Sequence, residues 1–461
     1  MVTKHKPMLL VAAIVLAVVV AGAVRAPAAP VAPDSLRTPE SYVGEHRFLR
    51  TSAEIVAFNV GMSLYGEYFI DRDDSGFHLS MASFVSNPKS GFEWDNNVFF
   101  VNNLRHPYQG AQYYGAGRAN GYDFYHSSAF AFAGSWLFEY TGESKSPSYN
   151  DWLNTAIGGI SLGEALFRIS GAVLDNESTG FMRLCREVGG VVILPSRGFN
   201  RVITGESFQV HANPERRPGA GMATEVNAGA WAPGEQPFDD SAAARNFFAI
   251  ELREGVPGRT RVERPFDVFT AGLDLSVGNK PQSLRRLEVD GMISGSDPRG
   301  KATIGAVLSF DYFDNAAYQL GAQSIGAGVF SGVGSQGGVE LRASFVGAGV
   351  ILGAVRSDYY NQTGRWFDQG PGAAYGAGIR LLRKGRALIQ LDHSGCWIHA
   401  INGNVADHFV ARTRAKAGLS LIGGLGAGIE YVLYTSTRTY GEYADVDTHR
   451  PEWRVFVATG R

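Results

Sequence analysis

The residues best able to do chemistry form a polar cluster in the first half of the chain. His106 lies in the run Arg-His-Pro-Tyr-Gln-Gly at 105–110, and Asp151 and Glu164 follow further along. A histidine beside a carboxylate can act as a general base or hold a ligand. The same groups could instead form an ion-pair network, because an unpaired buried charge is very costly. Both interpretations stay open.

Charges at helical spacing favour the structural interpretation. Glu164 and Arg168 are four positions apart, so they can pair on one helix face. Asp151, Thr155 and Gly159 also follow one another at four-residue spacing. We expect an ion-pair network made from the charged residues of this region: Arg118, Glu139, Glu143, Glu164 and Arg168.

Two helices are predicted to position these residues. The segment 123–140 is rich in Phe, Ala and Ser without alternation, and a second helix should begin near Ser146-Pro147 and run through Leu174. On the second helix, Gly159 and Gly163 have the G-x-x-x-G spacing that lets another backbone approach closely. The sequence therefore predicts a helical hairpin whose two helices touch at these glycines.

Known cofactor and metal motifs are missing from the sequence. The G-x-S-x-G match at 159–163 lies mid-helix, where a nucleophile elbow does not occur. No phosphate loop, dinucleotide fingerprint or H-E-x-x-H motif is found. The two cysteines, Cys185 and Cys396, could form one disulfide or stay as thiols. We expect no cofactor and no metal.

The second half of the chain alternates with period two. Between Phe409 and Leu421, apolar or small residues occupy every second position, while Arg412, Arg414 and Lys416 lie on the opposite face. Similar runs recur to the C-terminus. This pattern is typical of strands with one apolar and one polar side.

These strands predict a mainly β fold with an α subdomain. We expect a closed antiparallel transmembrane β-barrel of about 10–12 strands, with the helical hairpin segment N-terminal to it. A soluble β-sandwich or a lipocalin-like barrel is the alternative, since their strands alternate too. The mixed signs of the polar face predict salt bridges inside the lumen rather than a selective pore. The candidate lumen-lining residues are Arg342, Asp392, Arg412, Arg414 and Lys416.

Glycine makes up 58 of the 461 residues, well above the usual ~7%. Much of the excess lies in the alternating half. We interpret it as relief of crowding in a curved, closed sheet.

The first residues resemble a targeting segment. A basic start precedes an uncharged apolar run from Met8 to Val20, and small residues follow. This favours a cleaved secretory signal peptide over an anchor helix, because the run is short for a membrane span. The expected division is a signal peptide at 1–28, an N-terminal segment at 29–95, a helical subdomain at 96–200 and a β-barrel at 201–461.

Several short distinctive motifs lie between Phe99 and Arg168. They are His-Pro-Tyr-Gln-Gly at 106–110, Arg-Ala-Asn-Gly at 118–121, Gly-Ser-x-x-x-Glu-Tyr-x-Gly-Glu at 134–143, Pro-Ser-x-Asn-Asp at 147–151 and Gly-Gly-x-x-x-Gly-Glu at 158–164. In them the region at about 95–200 resembles domain of unknown function 3943, found in exported proteins of Gram-negative bacteria. The family has no established activity, so the resemblance implies a compartment and a coherent helical segment, not a reaction.

The sequence as a whole favours an outer-membrane barrel protein with a structural or transport-related role and its helical subdomain docked to the barrel. Its partners would be outer-membrane lipid and the barrel-insertion machinery. The 42 basic residues against 44 acidic ones make nucleic acid an unlikely partner. One alternative is an outer-membrane lipid-modifying enzyme using His106, Asp151 and Glu164. The other is a soluble periplasmic binding or assembly module.

Overall fold

The computed structural model describes residues 46–65, 91–95, 97–141, 146–214, 218–219, 221–234, 245–277, 284–296, 302–334, 338–361, 364–383, 386–421 and 424–460. The chain divides into a helical unit within Val18–Ala220 and a β unit that starts at Gly221. The proposed signal peptide at 1–28 and the ion-pair candidate Glu143 lie outside the described residues.

The helical unit contains more than the predicted hairpin. Its described α-helices are α1 (Phe48–Tyr65), α2 (His106–Ala119), α3 (Phe124–Thr141), α4 (Tyr149–Leu153), α5 (Gly159–Val173), α6 (Gly180–Ile193) and α7 (Pro195–Ile203). A π-helical segment, Val101–Arg105, leads directly into α2, and another, Asn154–Gly158, joins α4 to α5. A 3-10 turn, Glu206–Phe208, follows α7, so helical structure continues past residue 200, where the sequence placed the start of the barrel.

The run from α4 to α5 corresponds to the predicted second helix. It is capped by Ser148, whose hydroxyl accepts a hydrogen bond from the Asp151 backbone N–H at 3.2 Å. Among the described helices, this run (Tyr149–Val173, 25 residues, mean hydropathy 1.2) is the one with the length and composition to cross a membrane, and 89% of its apolar window is buried. A helix in the core of a folded domain has the same length and composition.

The glycine contact predicted for the hairpin involves a different helix. Gly159 lies against α2 rather than α3: a Cβ on Gly159 would be 2.5 Å from the backbone carbonyl carbon of Gly110. At Gly163, the added atom would be 2.8 Å from the ring of Tyr114, also on α2. The G-x-x-x-G spacing correctly indicates a close approach of backbones, but it does not identify the partner helix.

The β unit contains twelve described strands. They are β1 (Ala223–Pro233), β2 (Arg245–Glu254), β3 (Phe269–Val277), β4 (Leu284–Gly295), β5 (Ala302–Asp314), β6 (Gln319–Gly334), β7 (Val339–Arg356), β8 (Phe367–Arg383), β9 (Arg386–His399), β10 (Ala406–Ser420), β11 (Leu425–Tyr440) and β12 (Val446–Gly460).

Each strand pairs antiparallel with its neighbours in sequence, and β1 pairs with β12 from Glu225↔Gly460 to Pro233↔Glu452. The ring is therefore closed. This confirms the predicted antiparallel barrel and fixes its size at the upper end of the expected range.

The two faces of the wall differ as the alternation predicts. On β10, Arg412, Arg414 and Lys416 are buried, whereas Phe409 and Leu419 on the other face are exposed. Exposed large apolar side chains recur on the outer face of β6 to β12: Ile325, Val329, Leu341, Phe345, Ile379, Leu391, Ile429 and Val457. An even-numbered antiparallel barrel with an apolar exterior and a charged interior has the architecture of an outer-membrane barrel.

The glycine excess is explained at only some barrel positions. A Cβ on Gly229 would lie 1.9 Å from the Val455 carbonyl oxygen, and one on Gly372 would lie 1.9 Å from that of Trp397, so these strands need glycine where they approach. At the exposed positions Gly347 and Gly349, nothing lies within 4 Å. Crowding does not account for those two.

Candidate functional site

His106 is the first residue of α2 and lies in the interior of the helical unit, with 4% of its surface exposed. Its Nδ1 is 3.3 Å from the Thr155 hydroxyl, and its Nε2 is 3.6 Å from an Asp151 carboxylate oxygen. The structure therefore brings His106 and Asp151 together. At 3.6 Å their contact is an ion-pair distance rather than a hydrogen bond.

The two π-helical segments meet at this cluster. Asn154, in one segment, donates a side-chain hydrogen bond of 3.1 Å to the Asn102 carbonyl in the other. Asn150 donates from its side chain to Asp151 at 2.9 Å. Asn102 and Asp151 are fully buried. π-helical turns often occur at functional sites, but here they bury a set of polar side chains against one another.

Burial makes His106 a poor general base. Burial, with a smaller contribution from the positive charge of the neighbouring Arg105, lowers the pKa of the imidazole to about 3. The Asp151 carboxylate is too weakly engaged to offset that desolvation. A neutral, enclosed imidazole suits packing better than proton transfer with a substrate, and the geometry does not favour the lipid-modifying enzyme.

A pH dependence follows from the depressed pKa of His106. The unfolded chain binds a proton at this imidazole below about pH 6.5, whereas the folded chain resists it down to about pH 3. The contribution of the neutral imidazole to stability is therefore complete above pH 6.5 and is lost as the pH falls through that window. We expect the helical signal in circular dichroism to melt at a lower temperature at pH 4 than at pH 7. His106→Asn should reduce that difference, and an unchanged difference would contradict the assignment.

Glu164 belongs to a second cluster. Its carboxylate accepts hydrogen bonds from the Tyr114 hydroxyl at 2.7 Å and from Arg168 at 2.9 Å, and it lies 3.0 Å from Arg118. Burial and the Glu164 charge raise the pKa of Tyr114 well above its ordinary value, so this phenol stays a donor. Glu164 is thus neutralised by two arginines.

Glu139, on α3, is the remaining ion-pair candidate among the described residues, and its carboxylate contacts the segment before α4. Its carboxylate accepts a 2.8 Å hydrogen bond from the Ser148 backbone N–H. It therefore helps to fix the segment that begins α4, nine residues away in sequence.

The barrel interior holds a larger network of charges. Arg414 on β10 contacts Glu251 on β2 at 2.7 Å and Asp392 on β9 at 3.0 Å. Lys416 contacts Glu225 on β1, and Arg454 on β12 contacts Asp274 on β3 at 3.1 Å. The pairs made with Glu251, Glu225 and Asp274 connect strands that are not neighbours in the ring, so these side chains meet inside the lumen. Arg414 and Asp392, in contrast, face each other on the adjacent strands β10 and β9.

One ion pair joins opposite sides of the ring. Arg412 on β10 lies 3.2 Å from Glu288 on β4, and these strands are six positions apart in the ring of twelve. The interior is therefore bridged at this level from one wall to the opposite one. The fifth candidate residue, Arg342, pairs with Glu340 on its own strand at 2.7 Å and takes no part in bridging.

Arg285 is a member of the network that alternation alone misses. The register between β3 and β4 shifts so that Asp274 faces Arg286 while Leu275 faces Leu284, which leaves Arg285 as an extra residue. Such a bulge breaks the period of two. As a result, two consecutive arginines are buried: Arg285 donates to Glu452 at 3.0 Å, and Arg286 contacts Asp274 at 2.8 Å.

A cavity of about 290 Å³ lies beside the bridging pair. Its wall carries carboxylates from β4 and β5 (Glu288, Asp290 and Asp311) and guanidiniums from β7 and β8 (Arg342 and Arg380). Charges of both signs therefore line this cavity, whereas an ion-selective constriction uses a ring of charges of one sign.

The described residues contain no group of three or more His, Cys, Asp or Glu side chains arranged to hold a metal ion. Cys185 and Cys396 are free thiols. The disulfide left open by the sequence is therefore not formed.

Residues 91–196 match one family model, Domain of unknown function (DUF3943). The matched residues lie in the helical unit. This region contains both clusters, from the π-helical segment before α2 to the first residues of α7. The match confirms the resemblance found in the sequence motifs. No curated protein matches the chain.

Solved barrel structures share a weak likeness with the chain. A NanC porin structure is 9% identical, with a TM-score of 0.29, over 51% of this chain and 99% of the porin. OccAB1 of Acinetobacter baumannii is 7% identical, with a TM-score of 0.20, over 52% of this chain and 96% of its own. OmpT of Vibrio cholerae is 10% identical, with a TM-score of 0.18, over 52% and 96%. The barrel assignment itself rests on the closed strand ring.

Proposed function

We propose that this chain is an outer-membrane β-barrel protein with a structural role, whose lumen is closed by ion pairs and whose N-terminal region displays the DUF3943 helices. The exposed apolar residues of the barrel wall support contact with membrane lipid. Insertion by the barrel-assembly machinery and export through the segment at 1–28 belong to the same proposal.

The observation that carries the structural role is the Arg412–Glu288 pair. It joins opposite walls, and the pairs of Arg414, Lys416 and Arg454 join further non-adjacent strands beside it. Open porins keep water along the lumen, whereas these side chains contact each other and are buried or nearly so. A closed lumen favours an anchoring role over the passage of solutes.

Membrane insertion has a direct test. We expect the full chain to fractionate with outer membranes and to resist extraction by carbonate. Its band on gels should migrate differently with and without boiling, because a closed barrel withstands detergent until heated. Release into the soluble fraction by carbonate or high salt would contradict insertion.

Closure of the lumen has a separate test. The purified protein in a planar lipid bilayer is expected to show no stepwise ion conductance. The double variant Arg412→Ala/Glu288→Ala removes the bridging pair and should produce measurable steps. Arg342→Ala/Glu340→Ala removes a pair within one strand and should remain silent. Regular steps from the unmodified protein would overturn the closed lumen while leaving membrane insertion intact.

A further inference from the structure

A second cavity lies entirely within the helical unit and is distinct from the His106 and lumen sites. Its volume is about 290 Å³. The walls come from the start of α1, the end of α2, the middle of α5, and α7 with the residues after it. The volume is near the lower limit of small-molecule pockets, which suits a headgroup-sized ligand rather than a whole lipid.

The lining is strongly basic. Five arginines face this space (Arg47, Arg50, Arg118, Arg197 and Arg201), with His211 and a single carboxylate, Glu206. Glu206 is engaged by Arg201 at 2.8 Å. Arg118 also lies 3.0 Å from Glu164, and Arg201 lies 2.7 Å from Glu187, so these two charges are partly balanced from behind the cavity wall. Guanidiniums are hydrogen-bond donors without acceptors, so the cavity presents donors to whatever enters it.

Two of these guanidiniums are held on an aromatic ring. Arg197 lies 4.1 Å and Arg118 lies 4.7 Å from the centre of the Phe167 ring. Arg197 Nη1 also donates to the Phe167 carbonyl at 2.6 Å and to the Ser170 hydroxyl at 2.8 Å. Both arginines are therefore fixed before a ligand arrives, which reduces the entropy lost on binding.

The placement of Arg47 and Arg50 adds to the excess of positive charge. They lie at the N-terminal end of α1, and the first turn of that helix has no acidic residue. The N-terminus of a helix carries a partial positive charge, so cations there are unfavourable and an anion is favourable. A bound anion would offset the repulsion among these groups.

We propose that this cavity binds a phosphate-bearing anion through Arg50 and Arg197, with Arg118, whose guanidinium also pairs with Glu164, beside them. The number of guanidiniums favours a phosphate monoester over a single carboxylate, because guanidinium pairs with phosphate oxygens in a bidentate way and a phosphate monoester carries more negative charge than a carboxylate. The phosphate can belong to a lipid headgroup or to a soluble phosphate ester.

The test uses the full chain in a neutral detergent and sodium pyrophosphate as the probe. Titration calorimetry at constant ionic strength is expected to show saturable binding, and sodium acetate at the same concentration should bind at least tenfold more weakly. Arg50→Gln and Arg197→Gln should each weaken pyrophosphate binding by about tenfold. Arg356→Gln removes the same charge from an exposed position on β7 and should leave binding unchanged.

Circular dichroism melting shows whether each variant is folded. If Arg197→Gln is unfolded, Arg50→Gln decides the outcome, because Arg50 lies at the edge of α1. Displacement of pyrophosphate by short-chain phosphatidic acid identifies a lipid headgroup, and displacement by glycerol 3-phosphate alone identifies a soluble ester. Absence of saturable binding, or equal losses in Arg50→Gln and Arg356→Gln, would overturn the proposal.

Discussion

Arg414→Met is expected to lower the free energy of unfolding of the barrel by about 3 kcal/mol. The guanidinium contacts Glu251 and Asp392 inside the lumen, so its removal leaves two enclosed carboxylates with less compensation. Methionine keeps much of the side-chain volume, and Arg253 still contacts Glu251. The loss of stability should therefore fall at the lower end of the range measured when a buried ion pair loses one partner. The measurement is the urea midpoint of the folded, heat-modifiable band in detergent.

Arg342→Met is the matched control for this variant. Arg342 has the same charge and also pairs with a glutamate, but it is partly exposed and this ion pair lies within its own strand. Its loss should cost under about 1 kcal/mol. Adding Glu251→Gln and Asp392→Asn to Arg414→Met should recover much of the lost stability. A midpoint for Arg414→Met equal to that of the unmodified protein would show that the lumen pairs do not stabilise the barrel.

Gly110→Ala is expected to destabilise the helical unit by about 3 kcal/mol or more. The added Cβ would lie 1.7 Å from the carbonyl oxygen of Thr155, and backbone cannot rotate away as a side chain can. The helices α2 and α5 would have to separate, which also disturbs the Tyr114–Glu164 contact. The melting temperature followed by circular dichroism at a helical wavelength measures this loss.

Gly61→Ala provides the control, because Gly61 is also a helical glycine and nothing lies within 4 Å of its added Cβ. Alanine is the better helix former by about 1 kcal/mol, so this change should leave the melting temperature equal or raise it. If both substitutions have the same effect, the close contact at Gly110 is not what holds α2 against α5.

The barrel could be predicted because its signal is local and repeated. At Phe409–Leu421 the alternation separates buried charges from exposed apolar groups, and the structure shows that separation. Arg285 could not be predicted this way, because a bulge inserts one residue and shifts the face on which every later side chain lies.

The helical half was less predictable, because its contacts are between helices. The spacing of Glu164 and Arg168 correctly indicated a pair on one helix. No spacing showed that Glu164 and His106 lie in separate clusters. The helix α2 itself carries Gly110, Gly115 and Gly117, which disfavour a helix in isolation. Its stability comes from packing: Tyr113 and Tyr114 are fully buried.

The lumen pairs also bear on the order of events during biogenesis. Lys416 and Glu225 are 191 positions apart, and Arg454 and Asp274 are 180 apart. The first contact requires β10, and the second requires β12, to have been synthesised and to have reached the first strands. Contacts between such distant parts of a chain slow folding, since most of the loop entropy is lost before they form. Asp274 already has Arg286 and Glu225 has Arg253 nearby, so each of these acids gains its second cation only when the last strands arrive. The paired charges therefore act as a chemical signal that the ring has closed.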